Sequence, residues 1–422
     1  MNTEVLALIV LFQIFDQSLG QNGTRPNIVM VMSDAFDGRL TFDPGSKVVQ
    51  LPYTNYLREL GTTFLNAYTN SPICCPSRAA MWSGQFVHLT RSWNNYKCLD
   101  ANATTWMDLL KANGYLTKIM GKLDYTSGSH SVSNRVEAWT RDVQFLLRQE
   151  GRPVTQLVGN MSTVRIMRKD WKNTDIATQW IHQRGQVISA LRENGLLNNT
   201  VVIFTADHGE LAMEHRQFYK MSMFEGSSHV PLLVMGPGLM SGLQVNQLVS
   251  LVDLYPTVLD IAGIPAQGIL SGHSLLPLLS KASAFSNKQH PDWVLSEYHG
   301  CNVNASTYML RSGRWKYIAY ADGLSVPPQL FDVTLDKEEL HNVIFKFPDV
   351  WTHLDKLLRS IVDYPKVSTA VHLYNKKAFG AWRHSLGRNY SQVIANLRWH
   401  VDWQKNVLAN KRAIDKWLYG SV

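Results

Sequence analysis

Five consecutive residues, Cys74-Cys75-Pro76-Ser77-Arg78, bring together a nucleophile, a helix start and a fixed cation. Pro76 suits the first turn of a helix, and Ser77–Trp82 can continue it. Cys74 then stands at a helix N-terminus, where free N–H groups favour a bound anion. Asp34, Lys122 and Asp207 follow apolar runs elsewhere in the chain, and Lys220 is a further charged candidate. Asp34 and Asp207 are hard oxygen donors of the kind that hold Ca²⁺ or Mg²⁺. Lys122 and Lys220 are compact positive charges able to offset negative charge developing on an acid group. Read alone, the pentapeptide is also compatible with a buried pair of structural cysteines, and either aspartate with a cap or turn.

The elements that would carry these residues can be read from hydrophobic patterning. Asn27–Met32 is an apolar run of strand length that ends in Ser33-Asp34, as for a strand buried on both faces. Tyr115–Met120 reads as a strand ending at Gly121-Lys122, Val201–Thr205 as a strand before Asp207, and Leu232–Met235 as another. Helices are predicted over Thr105–Lys111, Ile181–Asn194 and Val249–Ala262, the last two closed by Gly195 and Gly263. Alternating strands and helices predict an α/β domain with a mainly parallel sheet. Asp34, Lys122 and Asp207 each follow the C-terminal end of a predicted strand, where open α/β sheets bind ligands. From about residue 295 the pattern changes. Tyr308–Arg311 and Trp315–Tyr320 predict a hairpin around Ser312-Gly313, and the Trp-, Tyr- and Lys-rich tail from Val367 predicts a helical cap.

In order and type these motifs resemble the type I sulfatase family across nearly the whole chain: Ser33-Asp34, C-x-P-S-R, Gly121-Lys122, Thr205-Ala206-Asp207-His208-Gly209-Glu210, Lys220, and Ser228-His229-Val230-Pro231-Leu232. The resemblance implies an alkaline-phosphatase-like α/β sandwich with a smaller C-terminal α+β domain. It also implies a formylglycine made from Cys74 by the formylglycine-generating enzyme. A thiolate attacking sulfur gives a dead-end adduct, whereas one hydroxyl of an aldehyde hydrate can attack and collapse of the gem-diol then releases sulfate. By the same resemblance Cys74, Arg78, Lys122 and Lys220 are catalytic. One divalent cation, Ca²⁺ before Mg²⁺, is held by Asp34, residue 74, Asp207 and His208. The implied substrate is a sulfated glycan, 2-sulfated glucuronate in heparan-type chains. His208 stands where many members carry Asn, Ala35 where many carry a second Asp, and Asp124 where many carry His. Asp124 is a candidate sugar contact, and His299 a candidate substrate contact.

Composition agrees with a globular protein: 422 residues, 45% hydrophobic and 18% charged. The formal charge is +8, with 14 histidines adding to it at acidic pH, and this suits an anionic partner. No helix-turn-helix, zinc-finger or RNP pattern supports nucleic acid as that partner. Val5–Phe15 is too short to span a bilayer, and no later run is long and uncharged enough to do so. With Ser18-x-Gly20 it reads as a signal peptide, residues 1–20, and the alternative is a buried segment. Six N-x-S/T sequons begin at Asn22, Asn102, Asn160, Asn198, Asn304 and Asn389, which leans toward the secretory route and a lysosomal or secreted destination. Four cysteines, Cys74, Cys75, Cys98 and Cys301, make no disulfide scaffold, and no pairing can be assigned.

The expected organisation is a leader (1–20), a catalytic domain (21–295), and a smaller C-terminal domain with a helical tail (296–422). Only 85 residues separate Lys122 from Asp207, an interval usually much longer in the family. The sequence therefore predicts an internal shortening of roughly a hundred residues near 183–184, by comparison with the family. With it would go a strand and a substrate-binding histidine, at a cost of about 2–4 kcal/mol in rate if one donor is lost. Two alternatives to a working sulfatase follow: an impaired family member that only binds sulfated glycans, and a phosphoesterase of the same superfamily. Cysteine in C-x-P-S-R, where a phosphoesterase would have Ser or Thr, speaks against the second.

Overall fold

The computed structural model describes residues 6–13, 25–49, 51–127, 139, 191–192, 195–279, 290–300, 305–397 and 400–420. Nine strands precede residue 251 among the described residues: β1 (Leu6–Gln13), β2 (Asn27–Ser33), β3 (Thr62–Tyr68), β4 (Tyr115–Gly121), β5 (Thr200–Ala206), β6 (Leu211–Ala212), β7 (Phe218–Tyr219), β8 (Leu232–Met235) and β9 (Leu243–Ser250). Seven of them form one sheet in the order β4-β1-β2-β5-β8-β3-β9, and β6 pairs with β7 separately. The pairs β2/β5 and β3/β9 are parallel, while β1/β2, β1/β4, β5/β8 and β3/β8 are antiparallel. Five strands thus run one way, and β1 and β8 run the other. The sheet is mixed: most of its strands share one direction, as expected, and β1 and β8 are inserted against it.

Strand β2 is buried on both faces because its alternate side chains enter two different cores. Ile28, Met30 and Met32 pack with Met81, Trp82, Trp106, Leu110, Leu254 and Val258. Val29 packs on the other side with Leu57, Leu191, Val202 and Leu233. Helices α1 (Pro52–Leu60), α2 (Cys74–Ser83), α3 (Trp106–Ala112) and α4 (Leu254–Ile261) supply Leu57 and the partners on the first face, while Val202 and Leu233 come from β5 and β8. A capping box of Thr105 and Asp108 starts α3 where the pattern predicted it. The helix predicted over Val249–Ala262 begins five residues late, since Val249 and Ser250 belong to β9. A second capping box, Ser250 with Asp253, turns the chain out of the strand. The helix predicted over Ile181–Asn194 lies almost wholly outside the described residues.

The apolar run read as a leader forms β1, between β2 and β4. Among the described residues β4 is hydrogen-bonded to the sheet through β1 alone.

A second sheet, β10 (Trp293–Tyr298), β11 (Thr307–Ser312), β12 (Trp315–Tyr320) and β13 (Gln329–Asp332), is antiparallel in sequence order and contains the predicted hairpin. It packs against α5 (Pro348–Ile361) through Leu310, Tyr317, Leu354 and Leu358. The tail is helical, as expected: α6 (Tyr364–Leu386), α7 (Tyr390–Ala395), α8 (His400–Lys405) and α9 (Val407–Tyr419). The two sheets meet at a buried charge cluster. Lys316 Nζ lies 2.6 Å from Glu225 and 2.7 Å from Glu339, and His229 Nδ1 lies 2.9 Å from Glu225. No described helix is long and apolar enough to cross a membrane.

Candidate active site

Cys74 is the first residue of α2, and the chain enters from Ile73 in extended conformation. Its Sγ is buried and lies 3.0 Å from Lys122 Nζ, 3.1 Å from Lys220 Nζ, 3.4 Å from His208 Nε2 and 3.9 Å from Asp34 Oδ1. In a matured protein these contacts would be made by the formylglycine oxygens, for which the sulfur stands in. Burial pushes the thiol up, but Lys220 and Lys122 outweigh it and lower its pKa to about 6. The pocket around residue 74 therefore favours an anion there.

Each partner arrives from a strand end. Asp34 follows β2, Lys122 follows β4 and Asp207 follows β5, all at the same edge because these three strands point the same way. Lys122 Nζ binds Asp34 Oδ2 at 2.5 Å. Burial opposes the Asp34 charge, yet the hydrogen bond to His208 and the two lysines hold its carboxyl far below the usual range. Lys220 comes instead from the β6/β7 hairpin. Tyr219 and Met221 on either side of it have φ of 71° and 78°, left-handed values that non-glycine residues seldom adopt. The Met221 amide donates to the Pro72 carbonyl at 2.9 Å, which pins the hairpin beside Cys74. The strained turn is what aims Lys220 inward.

Arg78 acts inside the protein. Its Nε donates to Asp207 Oδ2 at 2.7 Å and its Nη1 to the Lys122 carbonyl at 2.5 Å, while Nη2 is buried without a partner. Thr69 and Ser77 hydroxyls both donate to the Asp207 carbonyl. One carboxylate and one backbone segment are thus fixed from α2 itself. Gly209 is required by close approach, since a Cβ there would run into the Gly226 carbonyl.

One donor atom each from Asp34, Cys74, Asp207 and His208 lies within 4.8 Å of the others. The His208 Nδ1 faces the Gly209 carbonyl at 2.9 Å, so Nδ1 carries the hydrogen and Nε2 faces the carboxylates. A backbone carbonyl fixing the remote ring nitrogen is the usual support of a metal-bound imidazole. Burial disfavours a charge on His208, but Asp207 and Asp34 raise its pKa to about 9. The same negative potential would hold a cation. Two buried carboxylates, the residue 74 position and this imidazole fit a divalent ion; imidazole is the softest member of the set.

Sequence reading named every member of this cluster. It missed the disulfide joining Cys75 to Cys98, the neighbour of the nucleophile, because three candidate cysteines leave the pairing open. It also missed Asn95, whose side chain caps the Cys75 amide at 3.0 Å and so occupies one of the N–H groups expected to face an anion. Asp124 Oδ2 stands 3.5 Å from Lys122. His299 is not placed as a substrate contact. It is 1% exposed, its Nδ1 meets Ser306 Oγ at 2.9 Å, and its Nε2 meets Glu297 at 3.3 Å under the edge of Trp93. Asn102, Asn198 and Asn389 are exposed, while Asn22, Asn160 and Asn304 lie outside the described residues.

Comparison with known proteins is consistent with this geometry. A family profile described as Sulfatase matches residues 26–139, and one described as N-sulphoglucosamine sulphohydrolase, C-terminal, matches 213–363. The chain is 57% identical to arylsulfatase K of Danio rerio over 496 aligned positions, covering 94% of this chain and 95% of the relative. Because 94% of 422 residues is about 397, roughly 99 positions of that alignment face a gap in this chain. The stretch between the two profile matches is 140–212. A putative sulfatase from Bacteroides thetaiotaomicron superposes with a TM-score of 0.61 at 22% identity, covering 82% of this chain and 94% of that one. A structure described as a 2-O GAG sulfatase gives 0.59 at 20% identity, covering 81% and 93%.

Proposed function

The chain belongs to the sulfatase family, a family of sulfate ester hydrolases that use formylglycine and a metal ion, and from that premise we propose that it removes a 2-sulfate from glucuronate in a heparan-type glycan. The observation that carries this reading is the convergence of buried Lys122 and half-buried Lys220 within 3.1 Å of the residue 74 side chain. A tetrahedral sulfate would meet both ammonium groups where the reacting bond lies, in a site with little water to screen them. The 2-sulfated sugar rests on the similarity to arylsulfatase K, with support from the likeness in fold to a solved 2-O GAG sulfatase.

The chain's own residues divide the work. Lys122 and Lys220 bind the sulfate oxygens and offset charge as the ester bond breaks. Arg78 orients: it holds Asp207 and the Lys122 backbone so that both groups keep their aim. Asp34, Asp207 and His208, with residue 74, would hold one divalent cation, Ca²⁺ before Mg²⁺ by family resemblance, both being hard ions suited to carboxylates. That ion supplies Lewis acidity toward an oxygen on residue 74. Formylglycine at residue 74, made by the formylglycine-generating enzyme, supplies a hydrate nucleophile in place of the thiol. Asp124, 3.5 Å from Lys122, is the candidate contact to the sugar in this reading. The Cys75–Cys98 disulfide and the exposed sequons at Asn102, Asn198 and Asn389 support a secretory route to the lysosome or the cell exterior.

A second reading rests on the gap of roughly 99 positions: a folded member that binds sulfated glycan and turns it over poorly. Sulfate release from a 2-sulfated glucuronate disaccharide at acidic pH separates the two, with Cys74→Ser as control. Release that the substitution abolishes supports hydrolysis through residue 74. No release from monodisperse wild-type protein overturns the first reading in favour of the second.

A further inference from the structure

The whole formal charge of the protein lies in its last helices. Residues 364–422 contain ten Lys and Arg against two carboxylates, Asp402 and Asp415, whereas the preceding 363 residues contain 31 of each. In the first part basic groups are matched nearby, as in Arg39–Asp37, Lys97–Asp100 and Arg359–Asp355. In the tail two acids cannot neutralise ten bases, whatever the pairing. Arg383 takes Asp415 at 2.7 Å. Lys366, Lys377, Arg388, Lys411, Arg412 and Lys416 are exposed, and no carboxylate partners them among the described residues.

The cations are arranged by the helices. Helix α6 turns Val371, Asn375 and Phe379 inward, at i, i+4 and i+8. Val371 packs on Ala80, Val87 and Trp93, so α6 leans on the back of α2, whose first residue is Cys74. Lys366 and Lys377, eleven residues apart, share the outward stripe and are separated by about 16 Å along the axis. Phe379 meets Trp417 at 5.4 Å, which holds α9 against α6 and sets Arg412 and Lys416, one turn apart, on the same basic cap. Repeated cations along an exposed helical surface match repeated anions along a chain.

We propose that helices α6 to α9 form a docking surface for the sulfated glycan polymer, away from the bond being cleaved. This rests on the sulfated-glycan reading of the active site. The surface captures the chain by counterion release and raises its concentration at the cleavage site on the other side of α2. Polymer substrates gain from it and disaccharides, too short to reach both places, do not.

The test uses the full chain and the variant Lys377→Gln/Lys411→Gln/Arg412→Gln/Lys416→Gln, all four surface positions. Binding to immobilised heparin is measured against NaCl, and sulfate release is measured from a 2-sulfated disaccharide and from a heparan-type polymer. The expected result is a slope of log K on log salt reduced by roughly 3, at about 0.7–0.9 per cation removed. Polymer hydrolysis falls accordingly and disaccharide kcat/KM is unchanged. Unchanged heparin affinity and slope overturn the proposal. So does a wild-type preference for single-stranded DNA or phosphatidylserine vesicles over heparin in competition, which would assign the tail a different occupant. If wild-type protein releases no sulfate from either substrate while the heparin shift is seen, the reading of the active site fails and the docking surface stands.

Discussion

Lys122 and Lys220 carry the same charge as Lys377, Lys411 and Lys416, but the two groups live under opposite conditions. The first pair is packed among Asp34, Cys74 and His208, with distances of 2.5–3.1 Å. Burial penalises each ammonium, and the anionic Cys74 and Asp34 more than restore it, so both stay charged. The tail cations are exposed, and among the described residues no carboxylate forms an ion pair with them. Removing a fully buried, paired charge such as Arg78 destabilises strongly and salt screens it little; removing exposed charge costs little, and its field is screened within about 10 Å at 0.1 M salt. One sequence thus uses its lysines for aim at one place and for reach at another.

The comparison is tested hardest at Arg78, the most enclosed cation of the site. Its side chain and that of Asp207 are fully buried. Arg78→Ala removes the closest cation from buried Asp207, leaving only His208 at 3.4 Å, and is expected to cost about 3–5 kcal/mol of stability in urea denaturation. A cost below 1 kcal/mol, the range of exposed pairs, would mean that the two classes of charge are not distinct here. Lys220→Ala comes next. It should leave the fold standing and lower kcat on a disaccharide by about 10²–10³, the effect of removing one preorganised donor. Across about 50–200 mM salt, disaccharide turnover by wild-type protein should stay flat while polymer turnover declines. Parallel declines would place the catalytic lysines with the exposed class.

A third comparison sets the N-terminal strand against the rest of the sheet. A chain beginning at Gln21 lacks β1, the only described strand hydrogen-bonded to β4, and β4 carries Lys122. Such a chain is expected to release less sulfate than one beginning at Met1. N-terminal sequencing of secreted protein shows which of the two exists. Equal activity would show that β4 holds Lys122 without β1.

How much of this was legible follows from where the signal lay. Asn27–Ser33 and Thr200–Ala206 are continuous apolar runs because both faces of the sheet are covered, and each ends in the carboxylate that forms the site. Three strand ends therefore predicted one edge. Strand β3 was missed because Thr62, Thr63 and Asn66 break the apolar run. The last two residues of strand β9, Val249 and Ser250, fell inside the predicted helix, although Ser250 and Asp253 spell the capping box that starts the helical turn later. The placement of Lys220 could not be read, since it depends on left-handed residues in a short hairpin with no glycine to mark them. The disulfide was equally hidden, because pairing is set by tertiary distance. The charge of the tail needed only counting, yet its meaning required knowing that α6 turns its apolar face to α2.

Between the two classes of charge lies His88, whose side chain is 10% exposed and bonded to Glu297 at 2.8 Å. Burial opposes its protonation, but the Glu297 charge raises its pKa above the usual imidazole value. For Glu297 burial is likewise opposed, by His88 and by the hydrogen bond from His299, and its pKa falls to about 2. A raised histidine contributes stability that is fully present below its unfolded value of about 6.5 and lost as pH rises through the folded value. A depressed glutamate contributes above about 4.3 and loses it as pH falls through about 2. Both contributions overlap fully from about pH 4.3 to 6.5, the range of an acidic compartment. His88→Gln should therefore cost about 1–2 kcal/mol at about pH 5, the worth of one charge-assisted hydrogen bond, and less at about pH 8. The comparison is made by thermal or urea unfolding of both proteins at the two pH values. A cost equal at both would mean that the pair acts as a neutral hydrogen bond, and that depth of burial alone does not sort the charges of this protein.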